Sequence, residues 1–354
     1  MVSMSLMFEK IERVCRANLD AETFRHEVML LLRRAVPFDS LCWPLLDPDT
    51  LLPFEPTSYN PIGMLDHLRV FELDYQMEER ASLIALSQSR KPLTTLSIEA
   101  GGDFTQSLAW AEILRPHSLG DEMRVMLTAN ERCWGCLILY RARSARPFTS
   151  NEETFMQRLI HPVATGLRQT IGSPPLVTTM PSPGPGVVVL GTDLRPMSMT
   201  PLAQQWLREL WPQGLGDHQP LPPLLFALIA RLEAIEKNYV PASWVPRVRM
   251  RSSAGCWFVL QVERLASSPL PDTFALTIQP APAAQMQLLL LQAFALTKRE
   301  RELTLLVLQG LSTAEIAAAL HISVYTVQEH LKAIFAKVHV RSRRELVARL
   351  GMGY

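Results

Sequence analysis

Three short Ser/Thr-x-x-Glu sequences near the C-terminus constrain the fold of this chain more than any other feature. They lie within 50 residues of one another and pair Thr297 with Glu300, Ser312 with Glu315, and Ser342 with Glu345. In each, the hydroxyl can accept a hydrogen bond from the N–H of the glutamate, while the carboxylate accepts one from the N–H of the Ser or Thr. Such capping boxes stabilise the first turn of a helix. Because an amphipathic segment follows each of them, they predict three helix starts.

These starts, with Ser323 as a further N-cap candidate before Val324, define four short helices. The predicted bounds are 298–309, 313–320, 324–337 and 343–350. Gly310 follows the first helix at the position where a left-handed residue commonly ends one. Only the three residues 321–323 separate the second helix from the third, which is the spacing of a helix-turn-helix.

The third of these helices is amphipathic. Its apolar stripe, at three- and four-residue spacing, consists of Val324, Val327, Leu331, Ile334 and Val338. Its opposite face consists of Tyr325, Gln328, Glu329, Lys332, Ala333 and Ala336. The short alanine side chains would allow this face to approach a DNA groove closely. Helix-turn-helix geometry also occurs in structural bundles, so a dimerisation or docking domain with a solvated basic face is the alternative.

The distribution of charge favours the DNA-binding interpretation. The whole chain of 354 residues has a formal net charge of +1, which excludes a protein that coats nucleic acid by bulk charge. Residues 285–354, however, hold nine Lys or Arg against five Asp or Glu. The other residues hold 26 basic and 29 acidic side chains. The positive charge is therefore concentrated in the segment that carries the predicted helix-turn-helix.

The segment "LTKRERELTLLVLQGLSTAEIAAALHISVYTVQEHLKAIFAKVHVRSRRELVARL" closely resembles the LuxR-type helix-turn-helix DNA-binding domain. The resemblance rests on the patterns LTxRERE, GLSxxEIAxxLxIS, TVxxHLxxIxxKV and VRSRxELVA, and covers about 55 residues. It implies an all-α domain of four helices over 285–354. His339 departs from the family, which usually has glycine between the third and fourth helices. A positive φ at that position would cost a histidine some strain.

The resemblance assigns base-edge contacts to the positions held by Gln328, Glu329 and Lys332. In the major groove a glutamate carboxylate can accept from cytosine N4, while glutamine pairs with adenine and lysine with guanine. Glu329 is therefore interpreted as a residue that reads a base rather than as a misplaced acid. The alternative is a solvated surface pair between Glu329 and Lys332, three residues apart on the helix.

Other polar and basic side chains around these helices are candidates for contacts with the DNA backbone. The family places this role at the positions of Thr326 and Lys337, and Thr313 can offer its N–H and hydroxyl to a phosphate. Three arginines are either further phosphate contacts or solubilising charges: Arg341, Arg343 and Arg344. Because the last helix of the family usually contributes to a homodimer interface, the implied partners are DNA and a second copy of the chain.

Upstream, proline-rich stretches at 172–186 and 279–284 divide the chain into blocks. The block 1–171 predicts helices, mixed strands and a closing helix capped by Thr149 or Ser150, which is an α+β domain. The block 187–279 predicts two strands, two helices and three strands, a second α+β domain whose order resembles that of PAS domains. Residues 172–186 form the Pro-rich linker between the two, and no internal sequence repeat is apparent.

The first block resembles the GAF-like domain that precedes LuxR-type effectors in some bacterial regulators. The similarity extends over roughly 35–170 and includes "VPFDSLCWPLL", "TLSIEAGGD", "RVML" and "CWGCLILYR". GAF and PAS modules usually sense ligands, redox state or protein contacts, so a small-molecule effector is expected. The candidate pocket residues are aromatic or polar: Trp43, Trp110, His117 and Trp134. Tryptophans on strands are also common core residues, and His117 after Pro116 can be a loop hydrogen bonder.

The sequence offers no constellation for catalysis, metal binding or a cofactor. No phosphate loop of the G-x-x-x-x-G-K type, nucleophile elbow or metal-ligand run occurs. Cys133 and Cys136 form a C-x-x-C, but on a regular strand an odd offset points them to opposite faces. Five cysteines in a chain of this length suggest a reducing compartment, and the longest apolar run, 286–296, is too short for a bilayer. A cytoplasmic protein that is neither an enzyme nor a membrane protein is expected.

These observations predict a sequence-specific transcriptional regulator that binds a two-fold-related DNA site as a homodimer. Two upstream sensor-like domains would control it. The alternative is a ligand-binding protein whose C-terminal helices serve only assembly.

Overall fold

The computed structural model of the protein describes residues 4–55, 62, 66–75, 82–101, 103–104, 107–172, 184–211, 222–252, 255–266 and 273–350. The chain divides into two compact units. The first comprises Met1–Leu167 and Ser182–Pro280, and the second comprises Arg168–Pro181 and Ala281–Tyr354. Of the predicted linker 172–186, residues 173–183 lie outside the described residues.

The N-terminal half of the first unit is an α+β fold around an antiparallel sheet of six strands. Its elements are α1 Met4–Cys15, α2 Ala21–Ala35, β1 Ser40–Cys42, β2 Leu45–Leu46, β3 Pro53–Glu55, α3 His67–Tyr75, α4 Leu83–Gln88, β4 Leu93–Thr95, α5 Leu96–Glu99, a π-helical segment Ala109–Leu114, β5 Leu119–Ala129, β6 Arg132–Ala142 and α6 Ser150–Gly172. The strand order is β3-β2-β6-β5-β4, and β1 also pairs with β6. The long hairpin β5–β6 forms the centre of the sheet. As predicted, a cap opens α6, where the Thr149 hydroxyl accepts from the Glu152 N–H at 3.3 Å.

The second half of this unit is a smaller α+β fold around five antiparallel strands. Its elements are β7 Gly186–Leu190, β8 Pro196–Met199, α7 Pro201–Leu210, α8 Pro223–Glu236, β9 Arg247–Arg251, β10 Trp257–Arg264 and β11 Phe274–Pro280. The strand order, β8-β7-β11-β10-β9, matches that of the larger sheet position by position. In both, a hairpin precedes helices and three further strands. The two halves thus repeat one topology that no sequence repeat reveals.

The two halves pack against each other and form one compact unit rather than separate bodies. Helix α3 contacts α8, and β3 contacts β9. A buried ion pair joins Arg249 on β9 to Asp47 in the first half, with 2.6 Å between Nη2 and Oδ1. The Arg231 guanidinium is fully buried between the rings of Tyr75 and Trp244, at 4.8 and 4.9 Å from their centroids. Charged groups this deeply buried are costly to separate, which favours a fixed arrangement of the two halves.

Residues 283–350 of the second unit, all of which the structure describes, form five helices: α9 Ala283–Ala293, α10 Lys298–Leu308, α11 Thr313–Leu320, α12 Val324–Val338 and α13 Arg343–Leu350. The last four begin at the predicted residues and end within one residue of the predicted bounds. Helix α9 was not predicted from the sequence, and its apolar residues join the core of this unit. That core includes Leu291, Leu303, Ile316, Ile334 and Leu346. Among the described residues, no helix is both long and apolar enough to cross a bilayer.

Candidate functional site

The turn between α11 and α12 is set by local hydrogen bonds. Ser312 and Glu315 form the complete capping box that opens α11, and the Ser323 hydroxyl accepts from the Thr326 N–H at 3.0 Å to open α12. His321 ends α11 in the left-handed conformation, with φ of 52°. Because short polar caps and one left-handed residue reverse the chain within three residues, the two helices form a compact helix-turn-helix.

The same local rules hold at the other helix ends, with one difference. Thr297 and Glu300 form a complete capping box, and Gly310 is left-handed with φ of 88°, as predicted. The third box is only half formed: Ser342 accepts from the Glu345 N–H at 3.1 Å, but the Glu345 carboxylate accepts from the Arg341 N–H instead. His339 adopts φ of 54°, so this position does require the left-handed conformation that glycine would adopt more easily.

Helix α12 buries one face in the core of its unit and exposes the other. Four predicted stripe residues are buried: Val327, Leu331, Ile334 and Val338. The fifth, Val324, lies at the first position of the helix and is 45% exposed. Beside it Tyr325 is 70% exposed. The start of α12 therefore projects beyond the core of the unit.

The three predicted base-reading residues lie together on the exposed face of α12. Gln328, Glu329 and Lys332 are all exposed, and Lys332 Nζ lies 2.7 Å from Glu329 Oε1. A solvated pair of this kind contributes little to stability. The pair between Glu329 and Lys332 can therefore break at small cost, which would free both side chains to contact a base edge.

Tertiary contacts engage some of the predicted backbone-contacting residues. Lys337 donates to both carboxylate oxygens of Glu300, at 2.8 and 2.6 Å, and so ties α12 to α10. The Thr326 hydroxyl lies 2.8 Å from the Ser323 hydroxyl, within the cap of α12. Thr313 is half-buried at the first position of α11. Of these three, Lys337 has the weakest geometric case for a phosphate contact, because an internal carboxylate already neutralises it.

The three predicted arginines divide in the same way. Arg343 donates to the backbone oxygens of Leu311 and Val307, where it satisfies carbonyls near the end of α10. Arg341 and Arg344 are exposed, and no hydrogen bond of either side chain to another described residue is observed. The structure thus leaves Arg341 and Arg344, rather than Arg343, with guanidinium groups available to phosphate.

The pair between Glu300 and Lys337 predicts a pH-dependent stability. Burial raises the pKa of the Glu300 carboxyl, but hydrogen bonds from Lys337 and Thr297 outweigh it and leave the pKa below its ordinary value. Because the pKa of Glu300 is lower in the folded state than in the unfolded state, its ionised form stabilises the fold at pH values above the unfolded-state pKa. This stabilisation is lost as the pH falls through the folded-state pKa. Glu300→Gln should therefore lower the free energy of unfolding by about 1–3 kcal/mol near pH 7.

The difference between wild type and Glu300→Gln should shrink below about pH 4, measured by thermal unfolding of the full chain with circular dichroism. Glu302→Gln is the matched control, because Glu302 lies on the same helix and pairs with Arg299 at the surface. A Glu300→Gln difference that stays constant from neutral to acid pH would contradict this assignment.

In the first unit, the four predicted pocket residues have different surroundings. Trp43 and Trp134 are core side chains, 1% and 0% exposed, and Trp134 Nε1 donates to the Ala129 oxygen. Trp110 stacks on Phe104 with ring centroids 5.9 Å apart. The His117 ring contacts the Ile113 oxygen at 2.8 Å through Nδ1 and Asp66 at 3.2 Å through Nε2.

A cavity does lie between the larger sheet, α3 and the π-helical segment, and none of those four residues lines it. The lining side chains are Ile62, Val70, Leu73, Asp74, Ser82, Ala109, Ile113, Leu114, Glu122, Arg124 and Tyr140.

The polar side of this cavity was not predicted, although the sequence contains a signal for it. Strand β5 is buried along nearly all its length, yet it carries Glu122 and Arg124 at alternate positions of one face. Charged residues on a strand with both faces covered are unusual, since burying a charge is costly unless it is paired. The missing partner, Asp74, comes from α3 and could not be identified from strand alternation.

The prediction that Cys133 and Cys136 point to opposite faces of a strand was wrong. A β-bulge shifts the register of β5 and β6 between Leu127 and Thr128. The extra residue reverses the alternation, so Cys133 and Cys136 point into the same apolar cluster rather than to opposite faces. Both thiols are free, and burial raises the pKa of Cys133 to about 12. Among the described residues, no group of three or more His, Cys, Asp or Glu side chains is arranged to hold a metal.

The fold and exposed face of residues 297–350 define a helix-turn-helix domain. Residues 295–350 match the family of bacterial regulatory proteins called the luxR family, so the C-terminal segment is a LuxR-type domain. This family consists of regulatory proteins rather than enzymes. The match covers the C-terminal segment of the chain.

Two curated relatives are also similar to this chain over a short segment only. The monoamine regulon transcriptional regulator of Klebsiella aerogenes is 49% identical over 57 residues, which is 16% of this chain and 25% of that protein. The response regulator protein VraR of Staphylococcus aureus is 44% identical over 52 residues, 15% of this chain and 25% of that protein. The matched part of the chain thus spans about a quarter of the length of these relatives.

Among solved structures, SdiA in complex with octanoyl-rac-glycerol aligns over 98% of this chain and 94% of its own, with 14% identity and a TM-score of 0.32. Escherichia coli SdiA aligns over 98% of both chains, with 16% identity and a TM-score of 0.29. These scores are too low to establish a common arrangement.

Proposed function

We propose that this protein is a sequence-specific, DNA-binding transcriptional regulator whose upstream region controls its activity. The observation that carries the proposal is the exposed face of α12 in a LuxR-type domain, where Gln328, Glu329 and Lys332 lie together. Such a face combines an acceptor, an amide and a cation, which can distinguish cytosine, adenine and guanine in the major groove. The buried residues on the opposite side of α12 hold this face in place.

Affinity would come from phosphate contacts around this face. Arg341 and Arg344 are exposed beyond the C-terminal end of α12, and the N-terminus of α11 presents the N–H and hydroxyl of Thr313. Thr326, Lys337 and Arg343 remain candidates whose hydrogen bonds within the domain would have to be shared with a phosphate. Phosphates fix the position of the helix, and α12 reads the sequence.

We further propose that the protein acts as a homodimer on a two-fold-related site. Helix α13 keeps Leu346 and Leu350 in the core but leaves Val347 36% exposed. An apolar side chain on the last helix supports a contact with a second copy. A dimer would place two α12 helices in successive major grooves.

For the upstream region we propose a tandem of a GAF-like and a PAS-like sensor that responds to a small-molecule effector. Two observations support this: the halves share one strand order, and a cavity with buried polar groups lies in the first of them. Because the halves pack as one unit, a ligand in one would act on both.

Genomic pull-down followed by sequencing tests the proposed function. Reproducibly enriched fragments with a shared two-fold motif are expected. If the C-terminal helices served only assembly, the full-length protein would enrich no common motif, and the ligand-binding alternative would stand.

Glu329→Ala should relax the preference at one base pair of each half-site by about 1–3 kcal/mol. It should also raise non-specific affinity, because a negative charge is removed from the face that approaches DNA. Selection of sites from a random duplex library, by wild type and by the variant, measures both effects.

Glu302→Ala is the matched control for this experiment. Glu302 is an exposed glutamate on α10 that also pairs with a basic neighbour, Arg299 at 3.0 Å. Glu302→Ala changes the net charge by the same amount as Glu329→Ala, but it should leave the preferred DNA sequence unaltered. An unchanged preference in Glu329→Ala would mean that Glu329 is only a solvated partner of Lys332.

A further inference from the structure

Tyr325, at the start of α12, is the most exposed of the large hydrophobic side chains that the structure describes. It is 70% exposed, and its neighbour Val324 is 45% exposed. A single exposed apolar residue needs no explanation. Two adjacent ones at the leading end of a helix form a small apolar surface, and the base-reading role proposed for α12 does not account for it.

Tyr325 lies on the same line along α12 as two of the proposed base-reading residues. Glu329 and Lys332 follow it after four and seven positions, which is about one and two helical turns. Val327 and Ile334, both 0% exposed, lie on the opposite side of the helix. Tyr325 therefore extends the exposed face of α12 by one turn toward its N-terminus.

The cap of α12 fixes the backbone on both sides of Tyr325. The Ser323 hydroxyl accepts from the Thr326 N–H at 3.0 Å, and it lies 2.8 Å from the Thr326 hydroxyl. Tyr325 is between these two residues, at the second position of the helix. Because side chains on a helix lean toward its N-terminus, the aromatic ring is carried past a hydrogen-bonded first turn.

The first turn of α12 carries no acidic side chain, in contrast to those of α10 and α11. Those helices have Glu300 and Glu315 at their third position, where α12 has Thr326. A carboxylate there stabilises the start of a helix, but it repels a phosphate. The leading end of α12 can therefore approach the DNA backbone without repulsion from its own first turn.

An apolar group in the major groove has one base-specific partner. Thymine presents a C5-methyl group there, which the other three standard bases lack, and apolar side chains contact it. In helix-turn-helix proteins, the N-terminal residues of the recognition helix contact the base edges. Tyr325 is apolar, exposed and at that end of the helix, so thymine is the base that its ring can recognise.

We propose that Tyr325 is a specificity-determining residue that reads the methyl group of a thymine, beside the base pairs contacted by Gln328 and Glu329. Val324 enlarges the apolar surface around that methyl group. The inference rests on the proposed DNA-binding function and adds one base pair to the sequence that α12 reads. The competing occupant of this surface is a second copy of the chain, and the experiment distinguishes the two.

The test replaces single thymines by deoxyuridine, which removes only the methyl group. The full-length protein first selects its sites from a random duplex library, and Glu329→Ala identifies the base pair that Glu329 reads. Each thymine of the half-site is then replaced in turn, and fluorescence anisotropy measures the affinity.

For the wild type, one replacement should weaken binding about fourfold for each half-site, because burial of one methyl group contributes about this factor. The sensitive thymine should lie about two base pairs from the pair that Glu329 reads. One helical turn of ~5.4 Å spans about two base-pair steps of ~3.4 Å.

Three variants assign the effect to one side chain. Tyr325→Ala should bind the thymine and deoxyuridine duplexes equally, whereas Tyr325→Phe keeps the ring and should retain the difference of about fourfold. Tyr239→Ala is the matched control, because Tyr239 is an exposed tyrosine of the upstream unit, and it should leave the difference unchanged. Thermal unfolding of each variant confirms that it is folded.

Three results would overturn this inference alone. The wild type selects a motif but tolerates deoxyuridine at every thymine, folded Tyr325→Ala keeps the difference, or Tyr325→Phe loses it. A Tyr325→Ala variant that weakens all sequences equally and no longer dimerises in light scattering assigns the surface to a second copy, which also overturns it. If the wild type selects no sequence at all, the proposed function fails, and this inference fails with it.

Discussion

The full-length protein is expected to lose about a thousandfold in affinity for a selected operator duplex when monovalent salt rises from ~50 to ~200 mM. Each phosphate neutralised by Lys or Arg releases condensed counterions, and added salt opposes that release. The C-terminal 70 residues carry four more basic than acidic side chains, and a dimer presents two such segments. Fluorescence anisotropy of a labelled duplex across this salt range measures the slope.

Arg344→Gln should lower the slope by about one for each protomer, because it removes one exposed phosphate candidate. Arg195→Gln removes the same charge from the upstream unit, where Arg195 is 65% exposed, and should leave the slope unchanged. Affinity that does not depend on salt would be incompatible with a helix-turn-helix domain held to DNA by phosphate contacts.

Arg124→Met should lower the free energy of unfolding of the upstream unit by about 3–5 kcal/mol. The substitution removes the Arg124 charge from two buried carboxylates, Asp74 and Glu122, and this cost greatly exceeds the net contribution of an intact pair. Urea unfolding followed by tryptophan fluorescence measures it selectively, because all seven tryptophans lie in residues 43–257.

Two comparisons separate this cause from the loss of packing. Arg69→Met makes the same substitution at an arginine that also bridges two carboxylates, Glu72 and Glu112, but all three side chains are 28–39% exposed. Its cost should be below about 1 kcal/mol. Combining Arg124→Met with Asp74→Asn and Glu122→Gln should restore most of the lost stability. If the triple variant is as unstable as Arg124→Met alone, unpaired charge is not the cause.

Local sequence predicted the helices of the C-terminal unit closely because their ends are determined within four residues. A hydroxyl and a glutamate three positions apart fix the starts of α10 and α11, and Ser323 fixes that of α12. The same reasoning missed α9, which begins after Pro282 without a side-chain cap hydrogen bond and is held by packing of its apolar residues. The periodicity of α12 also could not separate the exposed Val324 from the buried residues of the same stripe, since it does not show where a helix leaves the body of its unit.

The sequence could not predict how each basic residue is used. Arg343 looked equivalent to Arg341 and Arg344, yet it donates to the Leu311 carbonyl. The resemblance assigned Lys337 to the DNA backbone, yet Glu300 engages it. Those partners lie 32 and 37 residues away, so no local pattern identifies them. For the same reason the apparent alternation of Cys133 and Cys136 was misleading, because a bulge is set by pairing with the neighbouring strand.

By itself the sequence determined the helix-turn-helix: its caps, its turn and the residues on the exposed face of α12 depend on interactions between near neighbours. Only the tertiary structure decided which basic side chains remain available to phosphate, that the upstream halves share one strand order and form one unit, and that a cavity holds Asp74 beside Glu122 and Arg124. These features join residues that are distant in sequence, such as Lys337 and Glu300, 37 positions apart, and Asp74 and Arg124, 50 positions apart. Their positions follow from burial and strand pairing of the whole unit, which no local segment encodes.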